Sequence, residues 1–331
     1  MVKGVVGRAV LAVLVLVVGW FAIDDARGGD DGAQARSSMT IIAPASAGGG
    51  WDLVAREIQQ ATRTDSIVGN VQVLNVPGAA GTIGLTQLLR REGHPATLMV
   101  TGTVMLGGIS MSGTGQSLAD VTPIARLAED FEVIAVPAES PWETFDDFAA
   151  AWTANPRMPI GGGSAGGIDH LVAAQLARSL GLDPDSLQYT PYAGGGELTL
   201  SLLSDASGTV DVGISGFNDF RDLIEGGRLR PLAVVAPERL DGVDAPTMIE
   251  LGHESVDLVN WRGVVASPGI SESDRDELLA IVEEMAETES WGEAVTRNRW
   301  QESWLGPDEF TLFLVEEQAR IDALLEELGL T

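Results

Sequence analysis

Two glycine-rich stretches have the composition of an anion-binding site. They are APASAGGGWDLVAR (Ala43–Arg56) and IGGGSAGGIDHLVA (Ile160–Ala173), and each lies between a short apolar run and a helical pattern. Glycine lets the backbone approach a ligand and direct consecutive N–H groups at it, and a helix N-terminus carries about half a positive charge. One such loop could be only a tight turn, whereas two long ones favour a clamp for a carboxylate.

The second stretch also contains G-x-G-x-x-G at Gly161–Gly166, as dinucleotide-binding sites do. That fingerprint requires an acidic residue at the end of the next strand, about 20 residues on. Here the strand ends in Tyr189-Thr190-Pro191-Tyr192. A nucleotide-dependent dehydrogenase or isomerase is therefore only an alternative interpretation. A P-loop is excluded because no lysine follows a glycine run.

Catalytic and metal-binding patterns are not found in the sequence. The three histidines, His94, His170 and His253, are far apart, there is no cysteine, and Ser164 has no evident base partner. We therefore predict no catalytic residue, no cofactor and no metal. His170 follows the second loop, where it could reach a bound group, pack beside Tyr192 or bond a backbone carbonyl.

Trp51 and Asp52 end the first loop. The bulky indole at a helix start either forms a wall of the site or packs under the loop, and the sequence leaves both open. Asp52 suits the first turn of a helix and has Arg56 four residues on, so both are expected to shape the loop.

Apolar runs and helical patterns alternate from Met39 onward, which predicts an α/β fold with ligands at the carboxyl ends of parallel strands. The predicted strands include Met39–Ala43, Val71–Asn75, Ala96–Val100, Phe131–Val136, Met158–Ile160, Leu187–Thr190, Val210–Ser215 and Leu232–Val235. The predicted helices include Asp52–Thr62, Thr82–Arg91, Trp142–Trp152, Ile168–Leu180, Glu197–Leu203, Phe217–Glu225, Ser273–Glu287 and Glu309–Leu328.

Charge and the N-terminal segment limit the partners and the location. The formal net charge of −28 argues against a nucleic-acid partner and is also typical of an acidic, salt-tolerant surface. Lys3 and Arg8 precede an apolar run from Ala9 to Ile23. This pattern predicts export, by a signal cleaved near Ala35 or by a retained anchor.

An ordered set of motifs resembles the substrate-binding receptors of tripartite tricarboxylate transporters, the TctC or Bug family. The set is APASAGGGWDLVAR, NVPGAAGTIG (Asn75–Gly84), GGGSAGGIDHL (Gly161–Leu171), TPYAGGGE (Thr190–Glu197), GTVDVGISG (Gly208–Gly216), GGRLRPLAV (Gly226–Val234), APTMIELG (Ala245–Gly252) and NWRGVVASPGI (Asn260–Ile270).

The resemblance implies a periplasmic-binding-protein fold of type II, with two α/β lobes joined by two crossing strands and one ligand in the cleft. Lobe 1 would comprise 39–129 plus 263–331, and lobe 2 would comprise 130–262, after an N-terminal segment 1–38. In the family, the loops matching Ala47–Asp52 and Gly163–Asp169 grip a ligand carboxylate from opposite sides. The predicted ligand-binding residues are Ala47, Gly48, Gly49, Gly50, Trp51, Asp52, Gly78, Thr101, Thr103, Gly163, Ser164, Ala165, Gly166, Asp169, His170, Tyr192 and Gly216.

The implied function is an extracytoplasmic, monomeric receptor for a di- or tricarboxylate such as citrate. It would close on the ligand and deliver it to a permease with one large and one small multi-span subunit. Trp51 resembles the citrate-binding branch, whereas Asp169 adds a negative charge beside the proposed anion site. A sensor ectodomain or a receptor of another transporter class is the alternative within the same fold.

Overall fold

The computed structural model describes residues 31–204 and 209–330 and shows two β-sheets flanked by helices. The predicted signal or anchor at Ala9–Ile23 lies outside the described residues. Within these two ranges, no helix is both long and apolar enough to cross a bilayer.

The strands and helices are numbered in chain order over the described residues. The strands are β1 Met39–Ala43, β2 Val71–Asn75, β3 Thr97–Gly102, β4 Thr122–Asp130, β5 Glu132–Pro137, β6 Ile160–Gly162, β7 Tyr189–Pro191, β8 Val212–Gly216, β9 Leu229–Val235, β10 Asn260–Ala266 and β11 Gln301–Leu305. The helices are α1 Asp31–Ser37, α2 Gly50–Thr64, α3 Thr82–Leu89, α4 Thr103–Ser112, α5 Phe145–Ala154, α6 Ile168–Ser179, α7 Gly195–Leu202, α8 Phe217–Glu225, α9 Glu272–Ala286, α10 Glu289–Arg297 and α11 Pro307–Glu327.

The first sheet has six strands in the order β11-β4-β10-β3-β1-β2. β1 pairs in parallel with β2 and β3, whereas β10 runs antiparallel between β3 and β4. All residues of β3 and β10 are buried, as expected for central strands covered on both faces. The carboxyl ends of β1, β2 and β3 therefore meet at one edge, where the first glycine loop begins.

The second sheet has five strands in the order β7-β6-β8-β5-β9. β6 pairs in parallel with β7 and β8, and β5 runs antiparallel between β8 and β9. The second glycine loop leaves the carboxyl end of β6 and enters α6.

Two chain segments connect the sheets. Phe131 is the single residue between β4 in the first sheet and β5 in the second, and the chain returns to the first sheet at the start of β10. Asn260 pairs with Asp130 in the β4–β10 register. The predicted lobe divisions at 129/130 and 262/263 fall beside these segments, and the lobe bounds themselves stay a prediction.

The predicted α/β class is confirmed, and several elements agree closely with the sequence patterns. β1, β2 and α8 have the predicted bounds. The sequence patterns missed three helices and three strands, which are α1, α4, α10, β4, β10 and β11. α4 contains Gly107 and Gly108 and is apolar on all sides, so it has no amphipathic periodicity. β11 is a short, partly exposed edge strand without regular alternation.

Candidate functional site

A cleft of about 480 Å³ lies between the two sheets, within the size range of small-molecule sites. Both glycine loops contribute to its walls, and the segments that connect the sheets contribute to its floor. The cleft is lined by Pro44, Ala45, Ser46, Gly49, Gly50, Trp51, Leu53, Pro77, Gly78, Ala79, Ala80, Gly81, Val104, Asp130, Gly163, Ser164, Gly167, Ile168, Asp169, Ala193, Gly194, Gly195, Ser215, Gly216, Asn218, Asp219, Asn260, Arg262 and Trp300.

Five helices begin at this cleft, and each is preceded by a glycine that provides no side-chain cap. These residues are Gly49, Gly81, Gly167, Gly194 and Gly216, before α2, α3, α6, α7 and α8, and all five line the cleft. By contrast, α5, α9 and α10 begin away from the cleft, and the side chains of Thr144, Ser271 and Thr288 cap them. First-turn N–H groups without a side-chain partner are donors for a bound anion. The cleft therefore concentrates helix N-termini that a ligand can cap.

The first loop is held by Asp52 from behind. Its carboxylate accepts from the Gly48 amide at 2.7 Å, from Arg56 at 2.8 Å and from Asn75 at 2.8 Å. Burial opposes ionisation, but the hydrogen bonds outweigh it and lower the pKa of Asp52. Asp52 thus shapes the loop, as expected. Trp51 is 6% exposed and forms part of the cleft wall.

The second loop uses its first two glycines for packing. Gly161 and Gly162 belong to β6, and a Cβ at Gly161 would lie 2.7 Å from the side chains of Leu198 and Val210. The part of this loop that lines the cleft begins at Gly163. The turn geometry of a dinucleotide motif is thus not formed at Gly161.

Asp169 and His170 hold the second loop through hydrogen bonds to its backbone amides. Asp169 accepts from the Gly163 amide at 2.6 Å, and Nδ1 of His170 accepts from the Gly166 amide at 3.0 Å. The His170 ring stacks on Tyr189 with 4.2 Å between centroids, so its partners are Tyr189 and an amide, where Tyr192 or a carbonyl was expected. Burial lowers the pKa of His170 to about 4, so it is neutral at pH 7.

The floor of the cleft consists of Asp130, Ser215, Asp219, Asn260 and Arg262, which we call the floor cluster. Nη2 of Arg262 donates to Asp130 at 3.1 Å, and both side chains are buried. The Ser215 hydroxyl donates to Asp219 at 2.7 Å. Among the residues that the structure describes, Arg262 and no other basic side chain lines the cleft.

The acids around the floor cluster are difficult to ionise. Burial raises the pKa of Asp130 against the opposing charge of Arg262, and burial raises the pKa of Asp219 as well. Burial and the nearby Asp169 and Asp130 raise the pKa of Glu132 well above its usual range. Burial also raises the pKa of Asp169, to about 6.

Eight of the predicted site residues line the cleft, and nine do not. Those in the wall are Gly49, Gly50, Trp51, Gly78, Gly163, Ser164, Asp169 and Gly216. Those outside it are Ala47, Gly48, Asp52, Thr101, Thr103, Ala165, Gly166, His170 and Tyr192. Ala165 and Tyr192 line a neighbouring recess, and Thr103 donates to the Val259 carbonyl.

The floor cluster is the main polar group of site residues that sequence reasoning missed, and Asn218 and Trp300 of the cleft lining were missed as well. Arg262 and Asn260 both belong to the motif NWRGVVASPGI, and they are two residues apart on β10, so they share one face of the strand. That spacing was a usable signal. Asp130 carried none, because its partner Arg262 lies 132 positions away in the sequence. Among the described residues, no group of three or more His, Asp and Glu side chains could hold a metal ion.

The fold has two α/β units with a cleft between them, and helix N-termini without side-chain caps lie at this cleft. This arrangement is that of a solute-binding receptor. Comparison with solved structures confirms the periplasmic-binding-protein fold. A TctC solute-binding protein from Polaromonas is 25% identical, with a TM-score of 0.65 over 88% of this chain and 98% of that one. The periplasmic binding protein BugD is 21% identical, with a TM-score of 0.80 over 89% and 98% of the two chains. MatC from Rhodopseudomonas palustris, whose structure holds bound malate, is 21% identical, with a TM-score of 0.75 over 87% and 99%.

The chain belongs to the tripartite tricarboxylate transporter family of receptors, whose model matches residues 54–330. A UPF0065 protein of Agrobacterium vitis is 24% identical over 70% of this chain, and the match spans 66% of that protein's length. A UPF0065 protein of Cupriavidus necator is 24% identical over 88% of both chains. The family and the fold are those of extracytoplasmic solute-binding receptors.

Proposed function

We propose that this protein binds a small di- or tricarboxylate, such as citrate, in the interlobe cleft and delivers it to a tripartite tricarboxylate transporter permease. The permease would have one large and one small multi-span subunit. Lobe 1 would comprise 39–129 plus 263–331, and lobe 2 would comprise 130–262.

The observation that carries this proposal is the set of five helix N-termini without side-chain caps around one cleft. Arg262 adds a guanidinium to the same cleft. Helix N-termini and a guanidinium both favour a carboxylate over a neutral ligand. The bound malate of MatC, a relative in fold, is consistent with this ligand class.

Capture would follow from closure of the two lobes about the segments that connect the sheets. A ligand stabilises the closed form only through contacts that it makes better there than in the open form. Gly49–Gly50, in the proposed lobe 1, and Gly163–Ser164, in the proposed lobe 2, both line the cleft. A carboxylate that touches both walls would supply that difference, and the closed form would then dock on the permease.

A binding panel tests the proposal. The exported protein is unfolded and refolded to remove carried ligand, and is then tested by thermal shift and calorimetry. The panel contains citrate, tricarballylate, succinate, malate, aspartate, glutamate, nicotinate and NAD. A ligand at 100 times its dissociation constant should add about 2.7 kcal/mol of stability and raise the melting temperature by a few degrees. Binding of one carboxylate, recovered unchanged, is expected. A response to NAD with none to any carboxylate would overturn the receptor proposal.

The N-terminal segment is proposed either to be removed on export or to tether the receptor to the membrane. Arg36 in α1 bonds to Glu284 in α9 with two contacts of 2.7 Å, so the chain that follows this segment is held on lobe 1. The mass of the mature protein distinguishes cleavage near Ala35 from a retained anchor.

A further inference from the structure

The floor cluster contains both hydrogen-bond donors and hydrogen-bond acceptors that have no protein partner. The Arg262 guanidinium makes one hydrogen bond among the described residues, to Asp130, and its Nε is buried without a partner. Oδ1 of Asn260 is also buried without a partner, while its Nδ2 donates to Glu132 at 2.8 Å. Arg262 is 6% exposed and Asn260 is 4% exposed, and both line the cleft. Buried polar atoms without partners are costly, so a ligand that pairs with them gains affinity.

Asp219 adds a second acceptor to the same surface. One of its carboxylate oxygens accepts from Ser215 at 2.7 Å, and the side chain lines the cleft beside the N-termini of α7 and α8. Asp219, like Asn260 Oδ1, therefore requires a donor from the ligand. A plain carboxylate would pair with Arg262 but would leave these acceptors without a donor.

We infer that the floor cluster selects ligands with a hydroxyl or ammonium donor on the carbon next to a carboxylate. That carboxylate pairs with the free N–H groups of Arg262, and the donor pairs with Asn260 Oδ1 and Asp219. The inference rests on the proposed function and goes beyond it, since it names a subsite that discriminates among carboxylates. A second carboxylate of the same ligand remains available to the helix N-termini of the two glycine loops.

Matched ligand pairs test this subsite on the exported, full-length protein by calorimetry. Succinate, malate and aspartate share a four-carbon dicarboxylate skeleton and differ only in the group at the second carbon. Tricarballylate and citrate differ only by one hydroxyl. We expect the hydroxylated or aminated member to bind about tenfold more tightly or better, because a site built around hydrogen bonds disfavours the analogue that lacks the donor. Malate and aspartate then distinguish a hydroxyl from an ammonium donor.

The Asp219→Asn variant assigns the preference to the floor cluster. A purely structural effect would change the affinity for malate and for succinate by the same factor. Loss of the subsite would instead reduce the ratio of the malate affinity to the succinate affinity to about threefold or less. Asp222→Asn on the same helix is the control, because the Asp222 side chain is 88% exposed. That control should leave the ratio unchanged.

Three results would contradict the inference. If succinate and tricarballylate bind as tightly as their substituted partners, the subsite is wrong while the receptor function stands. If the ratio in Asp219→Asn equals that of the unmodified protein, the preference does not arise at this acceptor. If no carboxylate binds at all, the proposed function fails and the subsite fails with it.

Discussion

Replacing Gly107 by alanine should weaken ligand binding by keeping the lobes apart. Gly107 lies inside α4, which packs on the first sheet, and a Cβ at this position would stand 2.0 Å from the carbonyl oxygen of Gly166 in the second loop. Real Cβ contacts are almost never below 3.0 Å, so the two surfaces must separate by about 1 Å. The contact joins a helix on the first sheet to the loop that follows β6 in the second sheet, and the added methyl therefore opposes the close approach of the cleft walls.

The expected loss follows from the cost of overpacking. Forcing a methyl group into a filled contact costs about 1–3 kcal/mol. If that cost applies to the closed form alone, the affinity for a carboxylate falls by roughly 5- to 150-fold. Calorimetry with whichever carboxylate binds the unmodified protein measures the loss, and urea denaturation without ligand checks that the fold is intact.

A second glycine-to-alanine variant is the matched control. Gly292 also lies inside a helix, α10, but a Cβ there would meet nothing within 4 Å. Gly292→Ala should raise the stability by about 0.5–1 kcal/mol, since alanine is the better helix former, and should leave the affinity unchanged. A folded Gly107→Ala variant with unchanged affinity would refute the reasoning, as would an equal loss of affinity in both variants.

Three further variants test the walls and the floor of the cleft. Gly50→Ala would place a methyl group 3.1 Å from Nη2 of Arg262, so we expect about tenfold weaker carboxylate binding, and equal affinity by calorimetry would contradict this. Arg262→Met leaves the buried Asp130 unpaired, which should cost about 3–5 kcal/mol in urea denaturation, and adding Asp130→Asn should recover most of it; a double variant as unstable as the single one would count against the ion pair. Burial lowers the pKa of His170 to about 4 from 6.5, so the folded protein binds this proton less tightly than the unfolded chain, and the contribution of His170 is lost as the pH falls from 6.5 towards 4. The stability advantage over His170→Asn at pH 7 should therefore shrink by about 3 kcal/mol at pH 4, and an advantage independent of pH would disprove it. The comparison with the variant is needed because Asp169, with a pKa raised to about 6, changes stability in the opposite direction over the same range.

The elements that could be predicted are those whose pattern is local. β1, β2 and α8 follow directly from short apolar runs and a helical period, and both glycine loops follow the strands that precede them. The position of the cleft walls was therefore predictable, because a strand, its loop and the following helix are contiguous in the chain. α4 could not be predicted, since its stability comes from burial between other elements and its two glycines disfavour a helix on their own.

Within the second loop, the sequence pattern pointed to more contacts than the cleft contains. Gly161 and Gly162 match a ligand-binding motif but pack inside the second sheet, and Gly166 lies against Met111 of α4. Glycine serves close packing and ligand approach equally well, so the residue type alone does not distinguish them. The same holds for His170, whose polar ring stabilises the loop from behind.

The sequence by itself determined the family, the α/β class and the two glycine loops that contribute to the cleft walls, because these depend on contiguous segments of about 15 residues each. Only the tertiary structure decided the floor of the cleft. Arg262 meets Asp130 across 132 positions of sequence, and Asn260 meets Glu132 across 128. The pairing of β4 with β10 sets these contacts, and that register depends on the packing of both sheets. Under the proposed function, the loops would supply a general site for anions, and the strand register would place beside it the polar groups that select among carboxylates.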